Sequence, residues 1–562
     1  MDLSHVFPAF RERWVRYEDD DIIVVDKPPF MSCMAAQEGA DAPKDDLVAR
    51  LGAYLDGGYI GSHQRLDRDT SGLLVYAKRK EANASLAKQF EARLVKKEYL
   101  ALVRRFRAAP GESRTLRDWL EPPRQGVVAV SAKKTRTALQ AITHVTVEEQ
   151  TTHGVLVRLA LETGRTHQAR VQLAHAGAPI VGCALYGGDP GPRLFLHAAK
   201  LRFEHPRTRK IVEVKSALPA SFSHYLRGDK EDWVYDDEEQ LRLQLEVACD
   251  RRYAIATSGK TNAFRLVNDL GDAFPRLAVD VYGGYAVAQF YEDDVWSKPA
   301  RSERVLDALH VAGFAGVYAK WRPKQANVLV DTRTKERAPK EAVRGETAPE
   351  PLAVLENGVT YLARLGDGLS TGIFLDQRVA RDYVRHHVRG KTVLNLFAYQ
   401  CAFSVAAAAG HAKRTVSVDV SAVALERGRE TFGALLGPQH TFVAEDVFKW
   451  LERAKKKGEA YDWVILDPPS YSTTKERRFV AESDYAELAA LALSVVRPGG
   501  FLLASMNHRK TTKNRFRKQL FEAGRLAKKN VVRVRDTAES VDFPAQNGAE
   551  RYLKSALVEV SS

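Results

Sequence analysis

The feature that most limits the fold lies in the last third of the chain. From residue 391, KTVLNLFAYQCAFSVAAAAGHAKRTVSVDVS reads as strand, loop, Ala-rich helix and strand. FVAEDVFKWL (442–451) and YDWVILDPPSYS (461–472) continue the alternation. Strands alternating with helices build a parallel sheet covered on both faces, and such sheets bind ligands at the carboxyl ends of their strands. Three successive strand ends carry an acid: Asp419, Asp446 and Asp467. Asp419 stands 22 residues beyond Phe397, a spacing suited to a ribose hydroxyl. Asp446 is placed to face an adenine amine. Asp467 precedes two prolines that fix a rigid turn, from which acceptors can be aimed at an amino group. Singly, Asp419 reads as a helix cap and DPP as a turn; in series they read as a site.

The rest of the chain has a different texture. Up to about residue 226, short β-type runs alternate with polar turns: DIIVVDKPP (21–29), GLLVYAK (72–78), YLALV (99–103) and VLVRLALETG (155–164). Few long amphipathic helices intervene, so a mostly β or α+β domain is expected over 1–226. RGDKEDWVYDDEEQ is crowded with charge and turn formers and reads as a linker over 227–241. A small β-rich domain follows over 242–350, opened by the helical segment LRLQLEVACDRRYAI and strand-rich to about Glu346, and the α/β domain fills 351–562. The expected class is therefore multidomain, α+β then α/β. With 45% hydrophobic and 28% charged residues, disorder throughout is excluded.

Lys and Arg number 85 against 71 Asp and Glu, a net +14, which suits a polyanionic partner such as nucleic acid. Four cysteines and no Cys/His cluster make a disulfide scaffold or structural metal site unexpected. The N-terminus lacks an apolar signal-type stretch. Residues 393–412 are uncharged, yet Asn395, Gln400, Ser404, Gly410 and His411 interrupt them, so a strand, turn and helix are expected there rather than a membrane span. A cytoplasmic protein with no membrane partner is expected; oligomeric state is not legible. The run NHRKTTKNRFRK (507–518) holds six Lys/Arg and no acid. Such runs are commonly solvated helix faces, but beside a base-modifying site an RNA contact is favoured.

The densest motif is HQRLDRDTSGLLVYAK (63–78), with Asp67 between Arg65 and Arg68. A carboxylate among guanidinium groups stays ionised and oriented, as nucleophilic or general-base work requires. The segment resembles the HRLDxxTSGLL motif of RluA-type RNA pseudouridine synthases. KKEYLALV (96–103), ETGRTHQARVQLAHAGAPIVGCALYGG (162–188) and LFLHAAKLRFEHP (194–206) follow in that family's order. The resemblance implies that Asp67 is catalytic, that Arg65 shares its loop, that Tyr99 sits against the target base and that Arg165 is the aspartate's basic partner. It implies isomerisation of uridine without metal or cofactor, on a flipped nucleotide. Gln64, Ala169 and Cys183 depart from the family pattern, where His, Ile and Asp are common.

The C-terminal segments resemble class I S-adenosylmethionine-dependent methyltransferases, and more narrowly the RlmI/RlmK-like rRNA methyltransferases. The supporting stretches are TNAFRLVNDLGDAFPRLAVDVYGG, LGDGLSTGIFLDQRVARDYV (365–384), DPPSYS and PGGFLLASMNHRKTT (498–512). The resemblance implies S-adenosylmethionine as cofactor, held by Asn395, Phe397, Ala398, Asp419, Asp446 and Asp467. Pro468, Ser470, Tyr471, Asn507, Gln377 and Arg378 are the substrate-side candidates. RNA, of the large-subunit ribosomal kind, is the implied partner. The family's glycine-containing loop reads FAYQCAF here, with Cys401 and Ala402 in place of glycine-type residues. Relatives that make 5-methylcytosine place a cysteine in the strand after PGG, where this chain has Met506 and Asn507. Methylation of a base nitrogen, guanine N7, is therefore expected. The alternatives are a binding-only methyltransferase half or a 5-methylcytosine enzyme.

Overall fold

A computed structural model describes residues 3–34, 45–323, 334–473, 478–546 and 549–561. The N-terminal part is a single mixed sheet. Its strands run, edge to edge, Val15–Glu18, Ile22–Lys27, Ser71–Ala77, Leu196–Glu204, Lys96–Val103, Val155–Leu161, Leu139–Gln150, Ser113–Leu120 and Val130–Ser131. Only the pair Ser71–Ala77 and Leu196–Glu204 is parallel. The adjacent strands Ile22–Lys27 and Ser71–Ala77 are mostly apolar and buried on both faces. The catalytic-type motif occupies the turn that enters Ser71–Ala77, so a buried strand anchors it on one side.

The segment expected to be a linker is folded. Glu231–Tyr235 forms a 3-10 turn, and helix Glu238–Ala256 begins within the expected boundary, capped by Asp237. Tyr235 is fully buried, and Arg301 binds both Asp232 and Asp236. These acids offset a buried guanidinium rather than solvating a tether. The middle sheet has five strands, Ala263–Asn268, Leu277–Tyr282, Tyr285–Tyr291, Gly316–Arg322 and Arg344–Gly345. The stretch expected to be strand-rich also contains helix Pro299–Val311; its 324–333 portion lies outside the described residues. Val6 and Phe7, at the other end of the sequence, join this domain's core with Val234, Tyr235 and Phe264.

The seam between the first two domains is polar and buried. Arg50 donates to Asp250 at 2.9 Å and to the carbonyls of Pro8 and Ala9, and it stacks over Trp14 and Tyr253. Arg11 binds the same carboxylate. Arg251 lies over the Phe30 ring and binds Asp272, while its neighbour Arg252 binds Asp272 and the Asp542 carbonyl. Helix Glu238–Ala256 thus touches all three parts of the molecule.

The C-terminal sheet runs His440–Ala444, Arg414–Asp419, Thr392–Leu396, Tyr461–Leu466, Val496–Met506, Lys554–Val560 and Val531–Asp536. The first five strands are parallel; Lys554–Val560 runs antiparallel to them, and Val531–Asp536, antiparallel to Lys554–Val560, runs with the five. Strand order reverses between Thr392–Leu396 and Tyr461–Leu466, which is where an open α/β sheet leaves a crevice for a ligand. The uncharged stretch 393–412 divides as expected into strand Thr392–Leu396, a loop and helix Ala402–Ala409. No helix among the described residues is long and apolar enough to cross a membrane.

Candidate active sites

In the N-terminal domain, the Asp67 carboxylate accepts a 2.8 Å hydrogen bond from Arg170 Nη1, and His167 Nε2 lies 3.9 Å away. Arg170 is in the first turn of helix Gln168–His175, and His167 precedes it in a left-handed conformation. Three residues apart, the two side chains leave the helix on one side. The expected partner, Arg165, is corrected: it lies before the helix, and its Nε reaches the Gln140 carbonyl at 3.4 Å. Arg170 Nε donates in addition to Cys183 Sγ at 3.3 Å. The cysteine in the place of the family's usual Asp therefore still accepts from this guanidinium. Tyr99 is buried beside Asp67, and burial followed by that carboxylate pushes its hydroxyl above the usual tyrosine range. Arg65 is exposed in the same loop.

The loop is held from beneath. Lys27, fully buried, donates to the carbonyls of Pro28, Met31 and Arg68 at 2.8–3.1 Å. Burial lowers this ammonium to about 8, with nearby acids opposing the shift. Cys33 and Leu66 exchange backbone–thiol hydrogen bonds across the loop. Asp67 thus projects from a fixed turn towards Tyr99 and Arg170.

In the C-terminal domain, a cavity of about 350 Å³ opens at the strand reversal. Its wall includes Phe397, Asp419, Asp446, Asp467, Pro468, Asn507 and Gln377, seven of the expected residues. Asp419 accepts from the Tyr399 and Ser421 amides, which orients it at the end of its strand. Ser421, not Asp419, caps the following helix. Asp446 caps its own helix through one oxygen, accepting from Phe448 and Lys449 amides. Ser470 donates to the Asn507 side chain at the rim. Asp467 is pushed up to about 7, chiefly by burial and then by the nearby Asp376 carboxylate; its exposed edge faces the cavity. Asp376, also raised by burial, accepts from Tyr552 at 2.6 Å.

Five expected residues stand outside this wall, Ser470 at the rim among them. Asn395 is turned into the sheet–helix packing, where its amide donates to Ser404. Ala398 packs in a core with Cys401 and Leu425. Arg378 is buried against Ser540 and Asp542, a structural tie between segments. Tyr471 belongs to the short hairpin strand Tyr471–Thr473 beyond the rim. Residues missed in the sequence include Phe374, Tyr399, Val420, Phe448 and Phe479, which supply the cavity's apolar and aromatic surface, and Asp376, a further acid. Exposed Phe374 and Val420 at the mouth are apolar residues that a half-buried ligand would cover.

The residues fit S-adenosylmethionine. The FAYQCAF loop turns through left-handed positions at Phe397, Tyr399 and Cys401, which non-glycine residues adopt at a cost. Cys401 points away from the cavity: a Cβ on Gly428 would lie 2.6 Å from its Sγ, so the thiol fills the notch that this glycine leaves. The loop's substituted side chains leave the cofactor space open. Acids at three successive strand ends, with an aromatic wall, suit a ribose, an adenine and a cationic sulfonium.

Comparison with known proteins bears on both halves. Residues 21–175 match the RNA pseudouridylate synthase family, and residues 276–552 match the S-adenosylmethionine-dependent methyltransferase family. YwbD of Bacillus subtilis (strain 168), provisionally named a ribosomal RNA large subunit methyltransferase, is 32% identical over 55% of this chain and 84% of its own. A ribosomal RNA large subunit methyltransferase of Deinococcus radiodurans is 30% identical over 58% of this chain and 80% of its own. The crystal structure of SMU.776, provisionally named a methyltransferase and complexed with SAH, superposes with a TM-score of 0.51. It is 31% identical and covers 58% of this chain and 82% of its own. The chain is an RNA pseudouridylate synthase fused to an S-adenosylmethionine-dependent methyltransferase.

The basic run of the fusion enzyme is less bare than its sequence suggests. In residues 507–518, Lys513 pairs with Glu539, Arg515 with Glu482 and Arg517 with Asp536. Acids from distant segments neutralise half of the run, leaving Arg509, Lys510 and Lys518 to solvent. All four cysteines of the enzyme are buried, and none lines the cofactor cavity.

Proposed function

We propose that this enzyme isomerises uridine to pseudouridine and methylates guanine at N7, both in large-subunit ribosomal RNA. The Asp67–Arg170 pair carries the first half. A guanidinium within hydrogen-bond reach orients the carboxylate, and Tyr99 supplies a ring against which a flipped base can rest. The N1–C1′ bond of the uridine breaks, a C5–C1′ bond forms in its place, and the proton displaced from C5 is balanced by one taken up at N1. Asp67 acts either by attacking the ribose or by removing a ribose proton.

For the methyltransferase half, the cysteines support the choice of atom. Carbon-5 methylation of cytosine needs a thiol that adds to the base, and Cys401 is turned into the Gly428 notch with its thiol raised to about 12. A base nitrogen needs alignment alone. Bound in this cavity, S-adenosylmethionine supplies a methyl group on a cationic sulfonium. Asp467 and Asp376 line the space where positive charge resides before and after N7 methylation, and Asn507 with Ser470 offers hydrogen bonds at the rim. The open cofactor cavity weighs against a binding-only half. The naming of the relatives supports the choice of RNA.

The test incubates wild type, Asp67→Ala and Asp467→Ala with unmodified ribosomal RNA and methyl-labelled S-adenosylmethionine, then separates the digested nucleosides. Pseudouridine and labelled 7-methylguanosine from wild type, each lost in one variant alone, are expected. Label in 5-methylcytidine overturns the choice of atom. Pseudouridine with no label on naked RNA or assembled subunits overturns the second activity.

A further inference from the structure

A second concavity lies beside the synthase site and has no role in the chemistry above. It encloses about 300 Å³ and is bounded by His63, Phe90, Lys97 and Gly164–Arg165, with Arg93 at its edge. Its position follows from the site itself. His63 precedes Asp67 by four residues, Lys97 precedes Tyr99 by two, and Arg165 precedes Arg170 by five. Each of the three catalytic-site groups therefore has a companion upstream, and the companions converge. On strand Lys96–Val103, positions 97 and 99 share one face, about 6.6 Å apart, an offset comparable to one nucleotide of an unstacked strand.

The charges of this concavity are unbalanced. Among the described residues, Lys97 has no carboxylate partner; its ammonium lies against the Gly164 backbone and 5.9 Å above the Phe90 ring. Burial alone lowers it from the usual lysine range, with no acid opposing the shift. Among the described residues, the Arg165 side chain makes only the long contact to Gln140. Of the two carboxylates on the rim, Glu162 is taken by His144 at 2.6 Å, and Glu91 ends its helix on the solvent side. His63 is held by Asn83 and stacks on Phe90, which stiffens the wall. Elsewhere in this domain, buried cations are answered: Lys27 by three carbonyls, Arg170 by Asp67 and Cys183.

We propose that the Lys97–Arg165 concavity binds an RNA backbone phosphate next to the flipped uridine, and so fixes the strand while the base is turned. A compact ammonium and a guanidinium around a concave site suit a phosphate oxyanion. Anchoring the strand outside the catalytic pocket leaves the glycosidic bond free to break and the uracil free to rotate.

The test measures binding and pseudouridine formation on an unmodified large-subunit ribosomal RNA transcript with Lys97→Met, Lys97→Arg and Arg165→Met. Lys97→Met is expected to weaken RNA binding severalfold, and to lower the slope of log affinity against log salt by about one. The rate at saturating RNA should hold, and Lys97→Arg should restore binding. Arg165 is on a loop, so Arg165→Met provides the same readout without disturbing a strand. Once the target uridine is mapped, a neutral methylphosphonate at the linkage beside it should weaken wild type and leave Lys97→Met unaffected. An unchanged salt slope in both Met variants, or a fall in saturated rate at unchanged affinity, overturns the proposal. Competition by inorganic phosphate with no effect of the methylphosphonate assigns the concavity to a free anion and overturns it too.

Discussion

Arg170 divides its guanidinium between two acceptors, Asp67 at 2.8 Å and Cys183 at 3.3 Å. One side chain therefore aims the catalytic carboxylate, and a thiol keeps it from rotating away. Hydrogen bonds to charged groups are worth ~1.5–3 kcal/mol. Arg170→Met should slow pseudouridine formation by roughly 10- to 150-fold, with methyl transfer unchanged. Arg165→Met should leave the saturated rate near wild type. Single-turnover assays on one RNA with both variants check the assignment.

The methyltransferase cavity should respond to pH near neutrality. Asp467 has its carboxyl raised to about 7, so below that pH the folded enzyme keeps a proton that the unfolded chain has released. Stability should then fall as pH rises from about 4 to 7, and level off above. Affinity for the sulfonium cofactor should move the other way, improving by at most about tenfold per unit as the carboxylate forms. Calorimetric titration of S-adenosylmethionine between pH 5.5 and 8.5 should show this for wild type, with a flatter profile for Asp467→Asn.

The notch at Gly428 is tight. An added Cβ would lie within 2.8 Å of both Cys401 Cβ and Sγ, so Gly428→Ala should displace the FAYQCAF loop. S-adenosylmethionine binding should weaken by an order of magnitude or so, given a cost of ~1–3 kcal/mol for an overpacked core. Pairing it with Cys401→Gly, which removes the opposing thiol and suits the left-handed backbone, should recover part of the loss. Binding titrations of the two singles and the double decide it.

The domain seam makes a third demand. Asp250 accepts from both Arg50 and Arg11 in a buried setting. Asp250→Ala removes the closest counter-charge of two guanidinium groups, one of them fully buried, leaving Glu246 and Asp45 at 3.9 Å, and breaking such a pair costs ~3–5 kcal/mol. Thermal unfolding should begin earlier, with synthase activity lost at a lower temperature than in wild type. Asp250→Glu should lie between.

Most of what carries chemistry was legible locally. The strand-end acids and the turn before Ser71–Ala77 are short motifs, and their geometry is set by neighbours in sequence. The errors came from longer-range pairings. Two arginines stand in TGRTHQAR, and only the start of the helix at Gln168 decides which one faces Asp67; the three-residue spacing of His167 and Arg170 was the available signal. The acids of 227–240 read as solvated because their partner, Arg301, is some 65 residues away. Trp233, Val234 and Tyr235 within that segment were the sign of burial. Cys401 raised a doubt that the sequence had no means to settle, since its neighbour Gly428 sits on the next helix.

Helix Glu238–Ala256 has a consequence for how the two chemistries share a substrate. Its side chains are soldered to the synthase through Asp250–Arg50 and Arg251–Phe30, and to the methyltransferase through Arg252 and the Asp542 carbonyl. Among the described residues, no free tether lets one half swing while the other is engaged. The molecule behaves as a caliper: an RNA served at both jaws in one encounter must present its two targets at a set span, and any other RNA must be visited twice.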